Sequence, residues 1–189
     1  MFVHLRLHTE FSVVDGTTRI DDIVKAAAKD GQPAMAITDL SNLFGALKFY
    51  KEGRKQGVKP IIGAEVWVDG IGQEEGSHSR MLLLVQSKQG YLNLSELLAR
   101  AWTRNGNKAQ AFVTVEWLRE LHEGLIALSG AQAGPIGQAL LQGDVERARE
   151  AAFTLSGIFV HRFYIELQRC GRVDDEAHVA AAVQLAARM

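Results

Sequence analysis

Apolar positions along this chain recur with two periods in turn. Val3, Leu5 and Leu7 alternate with His4, Arg6 and His8, the two-residue period of a strand whose successive side chains point to opposite faces. The opening segment is therefore expected to bury an aliphatic face and to line up three nitrogen-bearing side chains on the other. A polar loop through Asp15-Gly16 follows. Ile23, Val24, Ala27 and Ala28 then fall at helical spacing within 20–29, with Gly31 as the stop. The short apolar run 33–38 reads as a strand buried on both faces and ends in Thr38-Asp39. Ser41 or Asn42 is expected to cap a helix over 45–56, in which Leu47, Phe49 and Tyr50 pack while Lys48, Lys51, Glu52, Arg54 and Lys55 stay in water.

The alternation continues. Residues 59–68 predict a strand with Glu65 facing opposite to Ala64 and Val66, and an acid midway along a buried strand needs a partner. The Gly- and Glu-rich stretch 69–79 reads as an exposed hairpin or mobile loop with Ile71 as its one core-forming residue. Strand 80–85 and helix 90–104 follow, the latter with Leu94, Leu97, Leu98, Ala101 and Trp102 on one face. Then come a polar loop around 105–109, a short helix over 115–121, and a glycine-bracketed strand over 124–130. Pro135 can open a helix to Leu141, Asp144 caps another to about Leu155, residues 163–167 form a strand containing Glu166, and a last amphipathic helix runs from Val173 to the C-terminus. That helix meets no glycine or proline stop, so the chain is expected to end inside a fold.

Strands alternating with helices predict an α/β fold with a largely parallel sheet, doubly wound or closed as a barrel. No glycine-rich phosphate fingerprint follows the first strand, which disfavours dinucleotide binding. His8, Asp39 and the loop acid Asp15 cluster instead near strand C-termini, the end that carries chemistry in βα barrels.

Composition narrows the class. With 189 residues, 47% hydrophobic and 23% charged, the chain suits one sizeable core. It lacks a long uncharged apolar run and the regions of a signal peptide, so a cytoplasmic protein with no membrane association is expected. The single cysteine, Cys170, permits no internal disulfide. A net charge of −1 supplies no bulk attraction to nucleic acid. His-x-His spacing would suit two ligands of one metal, but the middle residue of the triplet His4, Arg6 and His8 is arginine, which cannot be a ligand because a guanidinium has no lone pair to give and stays protonated. His4 is expected to line the strand, His122 and His161 to be exposed, Trp102 and Trp117 to make core or partner contacts, and Lys48, Lys51, Arg54 and Lys55 to form a solvated basic face.

The stretches HLRLHTEFSVVDG, PAMAITDLSNLFGALKFYKEGRKQGVKPIIGAEVWV, LLLVQSKQGYLNL, GLIALSG and FYIELQRCGRVDDEAHVAAAVQLA occur in this order. Together they resemble the N-terminal PHP (polymerase and histidinol phosphatase) domain of bacterial DNA polymerase III alpha subunits. The resemblance runs through nearly the whole chain, 1–189. It implies a distorted seven-stranded βα barrel truncated before its last strands, with no polymerase palm or fingers in this segment. Active PHP proteins hold a cluster of metal ions, usually zinc, on histidines and acids. The resemblance leaves His8, Asp15 and Glu65 as candidate ligands, vestigial because other positions have changed. Arg6 stands in place of the first histidine, Leu40 follows Thr38-Asp39 where histidine is frequent, Arg80 replaces the histidine opening the fourth strand, and Ala131 replaces a cysteine. His78 is a weak substitute. No catalytic residue and no cofactor is therefore expected here, zinc or manganese being the alternative, and Arg6 and Arg80 would replace the metal's positive charge beside Asp15 and Glu65. The resemblance also implies partners: the rest of the polymerase chain, a proofreading exonuclease subunit, and DNA through the full-length polymerase only. The competing expectation is a metal-dependent phosphoesterase or editing exonuclease.

Overall fold

A computed structural model describes residues 2–13, 15–72, 78–104 and 111–189. The polar loop expected around 105–109 and the middle of the 69–79 hairpin lie outside the described residues. Ile71, which is described, is buried.

Among the described residues six strands form one sheet, and β2 (Lys59–Asp69) is its organising member. The first half of β2 pairs in parallel with β1 (Ala34–Ile37), and its end pairs in parallel with β4 (Phe112–Thr114). Its other edge takes β3 (Ser79–Val85) in antiparallel register, Glu65 opposite Leu82 and Trp67 opposite Arg80. β3 continues antiparallel to β5 (Leu125–Leu128), which pairs in parallel with the two-residue β6 (Phe163–Tyr164). The sheet is thus mixed, and the largely parallel arrangement is corrected: two of its pairings are antiparallel. Only nine residues separate β2 from β3, too few for the crossover that a parallel pair requires, which forces that direction. β4 was not anticipated, and the strand expected over 163–167 is regular only at its first two residues.

Helices cover the outer face. α1 (Ile20–Lys29) and α2 (Ala46–Gln56) pack on the β1 side, where Ile20, Val24, Met35, Ile37 and Phe49 form one core. α3 (Lys88–Arg104), α4 (Val115–Leu121), α5 (Pro135–Leu141), α6 (Val145–Ile158) and α7 (Asp175–Ala186) follow, most of them contributing to the larger core around Ala64, Val66, Met81, Leu83, Leu94, Leu97 and Leu125. The inner face carries a smaller cluster, Ala36, Leu82, Leu84 and Leu128 with Ile61 and Ile126. Alternation along β2 sends Ala64, Val66 and Val68 outward to the helices, and Ile61, Glu65 and Trp67 inward. The sheet path is open, from β1 to β6. The architecture is α/β and compatible with a distorted βα barrel.

Two local expectations change. α2 begins after Gly45 without a side-chain cap, and Asn42 instead holds the preceding turn, accepting from the Phe44 amide and donating to Phe11 O and Leu40 O. Of the three residues expected to pack, Phe49 is buried while Leu47 and Tyr50 are 65% and 48% exposed. Gly53 decides which stripe turns inward. A Cβ there would stand 3.0 Å from Val58 O, so the close approach of α2 to the sheet occurs along Ala46, Phe49 and Gly53.

Candidate functional site

Residues 3–9 run extended beside β1. They touch it through a His4–Met35 bridge and the bonds Ala36 N–H to His4 O and Thr38 N–H to Leu7 O, short of a regular strand. The alternation read from sequence still operates here. Leu7 packs with the α1/α2 core, and Arg6 and His8 turn to the inner face. His4 is exposed, its ring edge-on to Phe2 at 4.7 Å.

Glu65 is the centre of the site and is fully buried. Arg6 Nη1 donates to its Oε1. His8 Nε2 lies 2.7 Å from Oε2, and Arg80 Nη1 donates to the same oxygen at 3.4 Å. His8 Nδ1 is 2.8 Å from Asp15 Oδ1, which also accepts from the Ser12 hydroxyl at 2.9 Å, and Arg80 Nη1 reaches Asp15 Oδ2 at 3.3 Å. The structure therefore brings His8, Asp15 and Glu65 into one cluster, and adds both arginines to it.

Two supporting groups were given no role in the sequence reading. Glu166, just past β6, takes Arg6 in a bidentate pair, Nε to Oε1 at 2.8 Å and Nη2 to Oε2 at 2.9 Å, the planar match that guanidinium and carboxylate favour. Its own amide donates to Ser129 Oγ. Like Glu65, it is an acid set in a predicted strand, and that signal could have found it. Trp67 lies under the Arg80 guanidinium, 4.5 Å from ring centroid to Cζ. Asp39, near a strand end, is spent on structure: it accepts from the Thr9 amide at 2.6 Å and the Thr9 hydroxyl at 2.8 Å. His78 stands apart, against Asp69 at 3.9 Å and the Phe112 ring at 4.4 Å. His122, expected to be exposed, is half-buried, with Nδ1 3.1 Å from Arg162 Nη2. Trp102 donates its indole N–H to Ser41 O, and Trp117 packs on the main core.

The charges answer one another. Burial alone would push the Glu65 carboxyl up, but the His8 ring and the Arg6 guanidinium outweigh it and hold it below the usual carboxylate range. Burial disfavours charge on His8, and Glu65 and Asp15 overcome it, raising the imidazole above its ordinary value. Asp15 is lowered in spite of partial burial by Ser12, His8 and Arg80. Asp39 is raised, because burial exceeds the help from Thr9.

Residues 4–170 match the family model described as the PHP domain. The chain belongs to the PHP domain family. It is 46% identical over 187 residues to DNA polymerase III subunit alpha of Pseudomonas aeruginosa, a match covering 99% of this chain and 16% of that protein. Against the subunit of the same description in Escherichia coli K12, identity is 41% over 187 residues, 98% of this chain and 16% of the relative. Against that of Neisseria meningitidis it is 43% over 188 residues, 98% and 16%. The chain thus spans 16% of the length of these curated relatives. Among the described residues, no helix is long and apolar enough to cross a membrane.

The donor set of this PHP domain fits a metal ion poorly. Both oxygens of Glu65 are taken by cations, both ring nitrogens of His8 face carboxylates, and Asp15 is shared among His8, Ser12 and Arg80. Among the described residues, no group of three or more His, Cys, Asp or Glu side chains is placed to hold one. An incoming dication would meet two guanidinium groups on its central carboxylate, and neither can leave by losing a proton.

Proposed function

We propose that this chain is the PHP domain of a replicative DNA polymerase III alpha subunit, with a degenerate metal centre. It works as a scaffold for the rest of the polymerase chain and as a binding platform for a proofreading exonuclease subunit, and meets DNA only through the full-length polymerase. The single observation behind the reading is the engagement of buried Glu65 by Arg6 and Arg80, fixed positive charge where a catalytic PHP site needs a metal. The collinear likeness to named alpha subunits supports the polymerase setting. His8, Asp15 and Glu65 are vestigial ligands in this reading, tied to one another and to the arginines.

The test is elemental analysis of the full-length protein after incubation with zinc and with manganese, followed by gel filtration. The expected content is close to zero. Two or more retained ions per chain would overturn the scaffold reading in favour of a metal-dependent phosphoesterase.

A further inference from the structure

The outer face of α2 is unusual for a helix that also carries a core stripe. Phe44, Leu47 and Tyr50 are 72%, 65% and 48% exposed. At 100° per residue, Leu47 and Tyr50 fall with Lys51 and Arg54 inside an arc of about 100°, and Phe44 stands one residue before the N-cap Gly45. Trp102, 57% exposed, is tied to the same place by its bond to Ser41 O, in the turn that leads to Phe44. A contiguous patch of large exposed side chains with a polar rim is a mark of an interaction surface, and Trp, Tyr and Arg dominate binding energy at such surfaces.

The rim says what kind of partner it fits. Lys48 is answered by Glu10 at 2.9 Å, and Lys55 by Glu52 at 3.5 Å. Among the described residues, Lys51 and Arg54 have no carboxylate partner, although both lie on the same arc as the apolar side chains. The face therefore reads apolar toward the helix start and cationic toward its end. A second copy packed parallel would set cation against cation, and one packed antiparallel would lay Lys51 and Arg54 on Phe44 and Leu47 with no carboxylate to answer them. A nucleic acid would answer the cations but leave aliphatic Leu47, at the middle of the stripe, against phosphate and sugar.

We infer that this face of α2 docks an acidic amphipathic segment of a separate polypeptide, its apolar side chains on Phe44, Leu47, Tyr50 and Trp102 and its carboxylates on Lys51 and Arg54. α2 and its neighbours carry this on their own, whether or not the domain serves a polymerase.

The probe is a fluorescently labelled amphipathic helical peptide with leucines on one face flanked by glutamates, titrated into the full-length protein, beside a counterpart with lysines in place of the glutamates. The glutamate peptide should bind and the lysine peptide should not. Leu47→Asp, at a position open to water, should leave the unfolding midpoint unchanged and weaken binding about tenfold or more, the scale of a lost interface anchor. The double variant Lys51→Glu/Arg54→Glu should reverse the preference to the lysine peptide. Binding of neither peptide, or of both equally, would overturn the inference. So would three other outcomes: an oligothymidylate that binds through Lys51 and Arg54 and survives Leu47→Asp, a dimer in light scattering that Leu47→Asp dissolves, or a Leu47→Cys thiol already shielded from alkylation in the full-length protein alone.

Discussion

Arg6 is the residue on which the site depends. It sits between Glu65 and Glu166, and the two carboxylates outweigh the effect of burial and hold the guanidinium above its ordinary value. Removing it would leave a fully buried carboxylate short of its main cation, so Arg6→Ala should cost roughly 3–5 kcal/mol in urea unfolding. Arg149→Ala, at an exposed position, should cost less than about 1 kcal/mol. Equal midpoints for the two variants would mean that the Arg6 pairs contribute little. His8 gives a pH signature. Its folded value is raised above 6.5, so its contribution is fully present below 6.5 and disappears as the pH rises through that raised value. Buried His178 works in the opposite sense: burial lowers it, Asp175 and Glu166 only partly opposing, so the stability it confers is present above 6.5 and lost as the pH falls. The two slopes mask each other in the parent protein. The stability difference between parent and His8→Gln, measured across the neutral range, should therefore shrink as the pH rises. A pH-independent difference would show that His8 does not carry charge between Asp15 and Glu65.

At the level of elements, glycines mark where backbone approaches backbone. Gly90, in the first turn of α3, leaves no room for a side chain: a Cβ would stand 1.8 Å from Gly124 O, at the turn into β5. Gly90→Ala should destabilise by about 1–3 kcal/mol, as overpacking does. Gly157, near the end of α6, meets nothing within 4 Å, and Gly157→Ala should stabilise by up to about 1 kcal/mol through helix propensity. Thermal midpoints moving in the same direction would contradict this assignment. The same contrast explains what the sequence could and could not disclose. Helices α1 and α3 were legible because one apolar stripe at helical spacing met one core, and α6 was legible from its Asp144 cap. α2 was legible as a helix but not in its orientation, since Leu47 and Tyr50 compete with Phe49 for the inward stripe and the close approach at Gly53 decides. The direction of β3 was legible only from the short connection after β2, read as a hairpin, because Met81 to Leu84 themselves are apolar on both faces and read alike either way. Three residues of β4 are too few to display a period. Within the site, Glu65 announced itself as an acid among apolar neighbours. The same cue at Glu166 had no visible partner, because Arg6 is 160 positions away.

Over the whole molecule that separation becomes architecture. The extended segment 3–9 lies beyond β1 at one end of the sheet path, and Glu166 follows β6 at the other. No strand pairing among the described residues joins these ends. Arg6 reaches from the first to the second across the inner face, touching β2 through Glu65 on the way. The two ends of the open sheet are thus clasped by ions where a closed barrel would use backbone hydrogen bonds. Such a clasp requires that Arg6 and Glu166 be energetically coupled, and a double-mutant cycle with Arg6→Ala and Glu166→Gln measures the coupling directly. Direct contact predicts an interaction energy of roughly 0.5–3 kcal/mol. Glu166→Gln alone should also speed amide hydrogen exchange at Ala36 and Thr38, whose N–H groups donate to His4 and Leu7, because a segment held by few backbone bonds opens locally when its side-chain anchor is weakened. Ala127 N–H, bonded to Arg162 O between β5 and the start of β6, should exchange faster as well if the anchor restrains both ends. Additive free energies with unchanged exchange at all three amides would mean that the sheet holds its curvature through helix packing on the outer face, with the ion pair a passive occupant of the inner one.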